Sequence, residues 1–416
     1  MSTKAIVAEG PVATPATNAN PWLIAVVVAL AAFMEVLDTT IANVVLRYIA
    51  GGLGISEDEA SWVVTTYLVA NAIIVMATGF LAQRFGRKAF FLACLGLFTV
   101  SSVLCGVAWN LQSLLLFRIL QGLGGGGMVP VAQSILADSF PPHKRGQAFA
   151  LFGVAVVVAP AVGPTLGGWI ADSYSWQWCF LINGPVGVAS MALVYALVND
   201  TGKAEQTFRF DWQGFMLVAT FLGALEVVLD RGQVDDWFTS NFIVTFSIIS
   251  ALAFLLLIPW EATRKNPTVD IQMMATLQFG SSFLNGLPPG KTDQASALMN
   301  AARNTGGSIG VSLASNVLAH REQFHQSRLA ENAIPSSISY QDTLQQITHY
   351  FVAQGSSLAQ AHSQAVAWIG QQVQAQASLL AYVDVFWTLM VMSLATAALA
   401  FVLRKNKLGE APPAAH

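Results

Sequence analysis

The chain has 416 residues, of which 54% are hydrophobic and only 10% charged, with a mean hydropathy of +0.56. A soluble domain carries about 25% charge, so this composition excludes a soluble globular enzyme and predicts an all-α bundle of membrane-spanning helices. The net charge of −3 comes with no basic block, so nothing points to nucleic acid.

Residues 1–20 are rich in Ala, Thr and Pro with Lys4 as their one basic residue, and read as a flexible cytoplasmic tail. No small-residue cleavage site ends the first apolar run, which is therefore expected to be a retained span rather than a signal peptide. A hydrocarbon core about 30 Å thick needs roughly 20 apolar residues per helix. That ruler predicts ten spans, near Trp22–Leu46, Ser61–Ala82, Phe90–Trp109, Gln112–Leu136, Ala148–Ala171, Cys179–Val198, Gly214–Leu229, Asn241–Pro259, Ala295–Leu318 and Leu379–Leu403. They divide the chain into a six-span N-terminal bundle (21–198), a linker with two central spans (199–262), a cytoplasmic junction (263–294), a C-terminal part with two spans (295–404) and a cytoplasmic tail (405–416). Within the C-terminal part, Ala319–Ser378 is a long exterior segment. Leu344, Ile347 and Phe351, and again Val366, Ile369 and Val373, recur at helical spacing, so it forms either two short amphipathic helices or a solvated loop.

Basic residues set the orientation. Lys4, Arg84, Arg87, Lys88, Lys144, Arg145, Lys203, Arg209, Arg264, Lys265, Lys291, Arg404, Lys405 and Lys407 fall on one side. The opposite loops hold Arg47, Arg231, Arg321 and Arg328 beside the acidic clusters Glu57–Glu59 and Asp235–Asp236. Both termini are expected in the cytoplasm.

Ionisable groups inside spans are costly and so count as functional candidates. The first span carries Glu35 and Asp38, three residues apart on one helical face, with Asn43 a turn later. Either these acids handle protons or a cationic substrate, or they are silent, hydrogen-bonded structural groups. Arg118 opens the run Arg-Ile-Leu-Gln-Gly-Leu-Gly-Gly-Gly-Gly in the fourth span. Once buried it needs a carboxylate or carbonyl partner, and it either couples a proton event to helix movement or pins two helices together. Gly122 and Gly126, four apart, give a close-packing face. Glu226 in the seventh span and Asp384 in the last are further acids, Glu226 the more deeply placed.

Gly79–Lys88 forms a tight basic turn between the second and third spans. Arg84, Arg87 and Lys88 there either bond to helix carbonyl ends or only set topology. In the fifth span Ala155, Ala159, Gly163, Gly167 and Ala171 form a small-residue stripe, and Pro160 and Pro164 are expected to kink the helix. The cysteines Cys94, Cys105 and Cys179 sit in apolar runs and the histidines show no ligand spacing, so neither metal nor cofactor is expected.

Together these stretches resemble the major facilitator superfamily, specifically its fourteen-span drug:proton antiporters, the EmrB-like exporters. Leu37-Asp38-Thr39-Thr40-Ile41-Ala42-Asn43 resembles the first-span signature, with Arg47 near a position usually proline. Gly79–Lys88, including Gly86, matches the loop motif, with Gln83 in place of the common aspartate. Arg118, Gln121 and Gly122 match the fourth-span motif; Ala159, Gly163, Pro164, Gly167 and Gly168 match the antiporter motif. The resemblance implies that Asp38 and Arg118 couple protons and that Glu35, Asn43, Gln121 and Glu226 line a substrate cavity. It further implies location in the inner membrane, drug-like amphipathic or cationic substrates, and work with a periplasmic adaptor and an outer-membrane channel.

The second half departs from the pattern. Asn300, Arg303, Gly306, Gly307, Ser308 and Gly310 resemble the penultimate span, and Ala302, Gly306, Gly310 and Ala314 repeat the small-residue stripe. Between Val269-Asp270 and Leu287-Pro288-Pro289 only a fragment remains, as though about four spans were missing with the join near Phe283–Gly286. Alternating access uses two pseudo-symmetric bundles around a central site. The alternative to an exporter is therefore an internally deleted membrane protein that does not transport.

Overall fold

The structure, a computed structural model, describes residues 20–199, 210–263 and 292–400. The helices in order are α1 (Pro21–Val44), α2 (Leu46–Leu53), α3 (Glu57–Phe85), α4 (Arg87–Gly106), α5 (Leu111–Ser139), α6 (Pro142–Ser173), α7 (Trp178–Leu181) and α8 (Asn183–Leu197). After the linker come α9 (Trp212–Arg231), α10 (Asn241–Thr263), α11 (Thr292–Asn332), α12 (Ile338–Ala353) and α13 (Leu358–Ala400). Local chemistry sets several boundaries. The Asn20 side chain accepts from the Trp22 N–H at 3.0 Å with Pro21 in the first turn. Ser56 and Glu59 cap α3 reciprocally, as Asn110 and Ser113 cap α5. Gly86, at φ +88°, makes the corner between α3 and α4, a conformation that only glycine adopts without strain.

Among the described residues nine stretches are long and apolar enough to cross a membrane, α7 and α8 counting as one. They correspond to the first eight expected spans and the last. The expected span Ala295–Leu318 lies inside α11 but is not one of the nine, because Asn300, Arg303, Asn304, Ser308, Ser312 and Asn316 interrupt its apolar run. The exterior segment also differs from expectation. α11 continues through Asn332, only α12 is a separate short helix, and Val366–Val373 belongs to α13, which runs unbroken into the last span. The intervening Gln371–Ala377 is rich in Gln and Ala, good helix formers, so nothing stops the helix there. Pro160 and Pro164 lie inside α6. The tail with Lys4, the linker basics Lys203 and Arg209, the junction with its join near Phe283–Gly286, Lys291 and the last basic cluster lie outside the described residues.

The described helices fall into two units. Among the described residues, one takes in those up to Val227 together with those between Thr245 and Asn304; the other holds Val228–Val244 and those from Thr305 to 400. In the first unit α5 packs between α3 and α4, and α1 packs along α6 with α8 and α5 at its flanks. Two apolar clusters fill this bundle. One collects Ile24, Val28, Met34, Phe91, Phe98, Met128 and Leu136; the other Leu37, Ile41, Val63, Leu114, Trp176 and Phe180. Along α1 and α3 the chain passes from one cluster to the other within about a turn, and along α5 it does so across the glycine run between Leu114 and Met128; the polar residues described below occupy that seam. A third cluster joins Val75 and Met76 of α3 to Val218, Leu257 and Ala301.

In the second unit α12 packs on α13. Asp384, read from sequence as an intramembrane acid, is only partly buried and pairs with His325 at 2.8 Å and Arg321 at 3.5 Å. The Ser378 hydroxyl donates to Glu322. Arg231 grips Asp235 with two bonds, at 3.0 and 3.1 Å.

Candidate functional site

Asp38 and Arg118 meet in the seam of the first unit. An Arg118 Nη1 donates to Asp38 Oδ2 at 2.7 Å, and the two residues are 0% and 1% exposed respectively for arginine and acid. Arg118 has further partners besides the acid. Its Nη1 also donates to Gln121 Oε1 at 2.9 Å, its Nε donates to the Val63 carbonyl at 3.0 Å, and its guanidinium lies over the rings of Tyr67 (4.4 Å) and Phe180 (5.4 Å). Asp38 receives a second bond, from Asn183 Nδ2 at 2.6 Å; the same amide donates to Ser102, whose hydroxyl bonds the Phe180 carbonyl. Charges buried this deeply persist only when paired and hydrogen-bonded. Five helices, α1, α3, α5, α7 and α8, supply side-chain or backbone groups to the pair, and α4 backs Asn183 through Ser102.

Glu35, one turn earlier on α1, is buried on the α3 side. Its Oε1 accepts from Asn71 at 3.0 Å and from the Tyr67 hydroxyl at 3.4 Å, while Oε2 is buried with no hydrogen-bond partner among the described residues. Tyr67 touches both acids' surroundings: its ring carries Arg118 and its hydroxyl reaches Glu35.

The glycines explain how these groups come so close. A Cβ on Gly122 would lie 2.5 Å from the Tyr67 carbonyl; on Gly126 it would lie 2.6 Å from the Asn71 carbonyl; on Gly125, 2.6 Å from the Tyr67 hydroxyl and 3.3 Å from Glu35 Cγ. Gly124 and Gly127 face the other way, onto Phe98 and Cys94 of α4. The glycine run is thus two packing faces that seat α5 against α3 and α4 at once. On α6, Gly163 meets Thr40 and Gly167 meets Ile41 of α1, and Ala159 and Ala171 are buried on the same stripe, while Pro164 is exposed and Gly168 has open space beside it.

The remaining sequence candidates are placed as follows. Gln121 is fully buried and, besides Arg118, accepts from Cys105 Sγ at 3.6 Å. Asn43 is exposed and donates back to the Thr39 carbonyl of its own helix at 3.0 Å. Glu226 is buried on α9, three residues from Gly223, which packs against Val69 and Ile73 of α3. In the basic turn Gly79 and Gly86 are buried, Gln83 is half-buried and Arg84 is exposed in the last turn of α3. Arg87 pairs with Asp138 at the end of α5, and Lys88 donates to the Tyr195 carbonyl near the end of α8 at 2.8 Å. Of the two readings of those basics, Lys88 fits the carbonyl-end one. Arg87 found a carboxylate that sequence reasoning did not name.

Asn183, Ser102, Tyr67 and Asn71 were also not singled out from the sequence. Each is a neutral side chain inside an apolar run, and Asn183 lies 145 residues from the acid it holds. The one available signal was their being polar at all within a span.

The chain matches known proteins along the same stretch. Residues 28–287 match the Major Facilitator Superfamily. The probable multidrug resistance protein EmrY of Escherichia coli K12 is 39% identical over 265 residues, 64% of this chain and 52% of the relative. The fatty acid resistance protein FarB of Neisseria gonorrhoeae is 45% identical over 250 residues, 60% of this chain and 49% of the relative, so against these two the chain spans about half the relative's length. The multidrug export protein EmrB of E. coli K12 aligns more fully, at 29% identity, covering 90% of this chain and 93% of the relative; that alignment runs over 485 residues, longer than the 416-residue chain, and so opens gaps within it. With its family matched across more than half its length and its buried ion pair built on the helices of that match, the chain belongs to the Major Facilitator Superfamily, as a homologue of the EmrB and EmrY multidrug exporters.

Proposed function

We propose that the chain is a proton-coupled exporter of small amphipathic or cationic compounds, an antiporter in which Asp38 and Arg118 carry the coupling. The observation that supports this most is the fully buried Arg118–Asp38 pair. When Asp38 takes a proton it loses its charge, and the 2.7 Å bond to Arg118 loses its electrostatic component. Arg118 then keeps Gln121, the Val63 carbonyl and the Tyr67 and Phe180 ring faces, none of them on α1, which unlocks α1 from α5. The small-residue contacts Gly122–α3 and Gly163–α1 leave few side chains to disengage as those helices shift. Glu35, Gln121, Asn43 and Glu226 offer polar groups to a passing substrate, and the turn at Gly86–Arg87 holds α4 to α5 through Arg87 and Asp138.

The same reading places the chain in the inner membrane with both termini cytoplasmic, working with a periplasmic adaptor and an outer-membrane channel. The relatives' names, multidrug for EmrB and EmrY and fatty acid for FarB, favour amphipathic substrates. One observation favours a second reading: the gaps in the EmrB alignment fit the loss of about four spans of the C-terminal half, which would leave a membrane protein that inserts but does not pump. Expression in cells preloaded with a fluorescent cationic dye separates the two. An exporter clears the dye, stops when an ionophore collapses the pH gradient, and is silenced by Asp38→Asn; a chain that leaves dye retention at the vector level is the non-transporting form.

A further inference from the structure

The first part of α11 is tied to Glu35 through a single amide. Asn304 Nδ2 donates to Asn71 Oδ1 at 3.1 Å, and Asn71 Nδ2 donates to Glu35 Oε1 at 3.0 Å. An amide has one donor end and one acceptor end. While Asn304 donates to it, Asn71 must offer its N–H to the acid, and an N–H is the partner a carboxylate requires. Once Asn304 withdraws, Asn71 is free to turn and offer its oxygen instead, the partner that a protonated carboxylic acid requires. The Asn71 amide faces Gly125, where a Cβ would already stand 3.4 Å from Nδ2, and it meets Glu35 at Oε1, the oxygen whose proton the turned amide would accept while Oε2 stays the carbonyl oxygen. The other groups acting on Glu35 are the guanidinium of Arg303, next to Asn304 on α11, Asp38 on its own helix and the Tyr67 hydroxyl on α3. Arg303 arrives with Asn304 and favours the same, charged form of the acid; Asp38 opposes it from a fixed place on α1.

We propose that Asn71 is a positioning residue that reads the seating of α11 through Asn304 and links it to the protonation of Glu35. With α11 seated, Glu35 is held as the carboxylate; with α11 withdrawn, the flipped amide holds it as the acid. This rests on the proton-coupled reading above and adds to it a second proton-carrying group, distinct from the Asp38–Arg118 pair and tied to a different helix.

The test reads protonation directly, without transport. The full chain is reconstituted in lipid, and the infrared carbonyl stretch of the protonated acid, assigned to Glu35 by its loss in Glu35→Gln, is titrated with pH. Asn304→Ala removes the donor and should move the midpoint upward by about 0.7 pH unit, roughly fivefold in proton affinity, the effect of one hydrogen bond that distinguishes the two forms. Asn304→Asp puts an acceptor where the donor was, forces the flip, and should move it further in the same direction; Asn304→Gln keeps a donor amide and should restore most of the wild-type value. Either the Ala or the Asp variant carries the test if the other fails to insert. A midpoint unmoved in both, or moved downward, overturns the inference whatever the flux. A shifted midpoint in a chain that moves no dye leaves the inference standing and removes the exporter reading.

Discussion

The Arg118–Asp38 pair allows one perturbation to be worked through from its contacts. Asp38→Leu removes the carboxylate and leaves Arg118, which is 0% exposed, with only the Gln121 oxygen, the Val63 carbonyl and two ring faces; its Nη2 already has no hydrogen-bond partner among the described residues. Removing one partner of a buried pair costs about 3–5 kcal/mol, because a charge is stranded, whereas replacing both with apolar groups is often close to neutral. Arg118→Met should be comparably harmful, since it strands Asp38 with the Asn183 amide as its one remaining donor at 2.6 Å. The double variant should then be more stable than either single, a non-additivity of about 3 kcal/mol or more. Denaturant unfolding in mixed micelles measures all three, with dye flux alongside. Export should be lost in every one of them, including the restabilised double, because the pair's proposed work is coupling rather than holding the bundle up. Additive costs, or singles that lose less than ~1 kcal/mol, would refute the reasoning: the two charges would then not depend on each other.

Other consequences follow from individual contacts. Gly163→Ala drives a methyl to 2.8 Å from Thr40 Cβ on α1 and should cost about 1–3 kcal/mol, whereas Gly168→Ala meets open space and should be neutral or slightly stabilising; equal thermal midpoints for the two would contradict the assigned faces of α6. Gly86→Ala puts a side chain at φ +88°, ψ +140° and should destabilise the α3–α4 corner by about 1–3 kcal/mol, read by faster proteolysis there, with an unchanged digest as the contrary result. Arg87→Ala and Asp138→Ala should slow export to the same degree and the double variant no further; a double variant markedly slower than either single would mean that the two do not act together. Gly124→Ala meets the α4 backbone at 2.6 Å and should cost more stability than Gly125→Ala, whose methyl meets the Tyr67 hydroxyl at 2.6 Å and should instead cut export more than its stability loss accounts for; export falling in step with stability in both would weaken the link between the glycine run and the acids.

The parts legible in the sequence were those whose cost in lipid is large. Asp38, Glu35 and Arg118 stand out because a charge within an apolar run needs a reason, and the glycine spacing at Gly163 and Gly167 marks a contact face on a helix of any length. That the acid and the arginine, 80 residues apart, bond each other is a property of the packing of α1 against α5 and had to be seen. Asn183, Ser102 and Asn71 escaped because a neutral amide or hydroxyl in a span is cheap enough to be ordinary; only its partner makes it functional. Helix ends failed for a different reason. The apolar ruler measures lipid, not helicity, so it stopped at Leu318 and restarted at Leu379, while α11 and α13 continue as polar helices of Gln, Ala, Glu and Arg. The expected exterior helix at Val366–Val373 merged into the last span because no breaker separates them.

We propose above that the buried Asp38, paired with Arg118, takes up and releases a proton in the course of export. The most direct measurement of this is simultaneous dye and proton flux in proteoliposomes holding the purified chain under an imposed pH gradient. Outward dye movement should be matched by inward protons, with both fluxes absent in Asp38→Asn. Dye movement that continues without proton flux, or that survives Asp38→Asn, would contradict it.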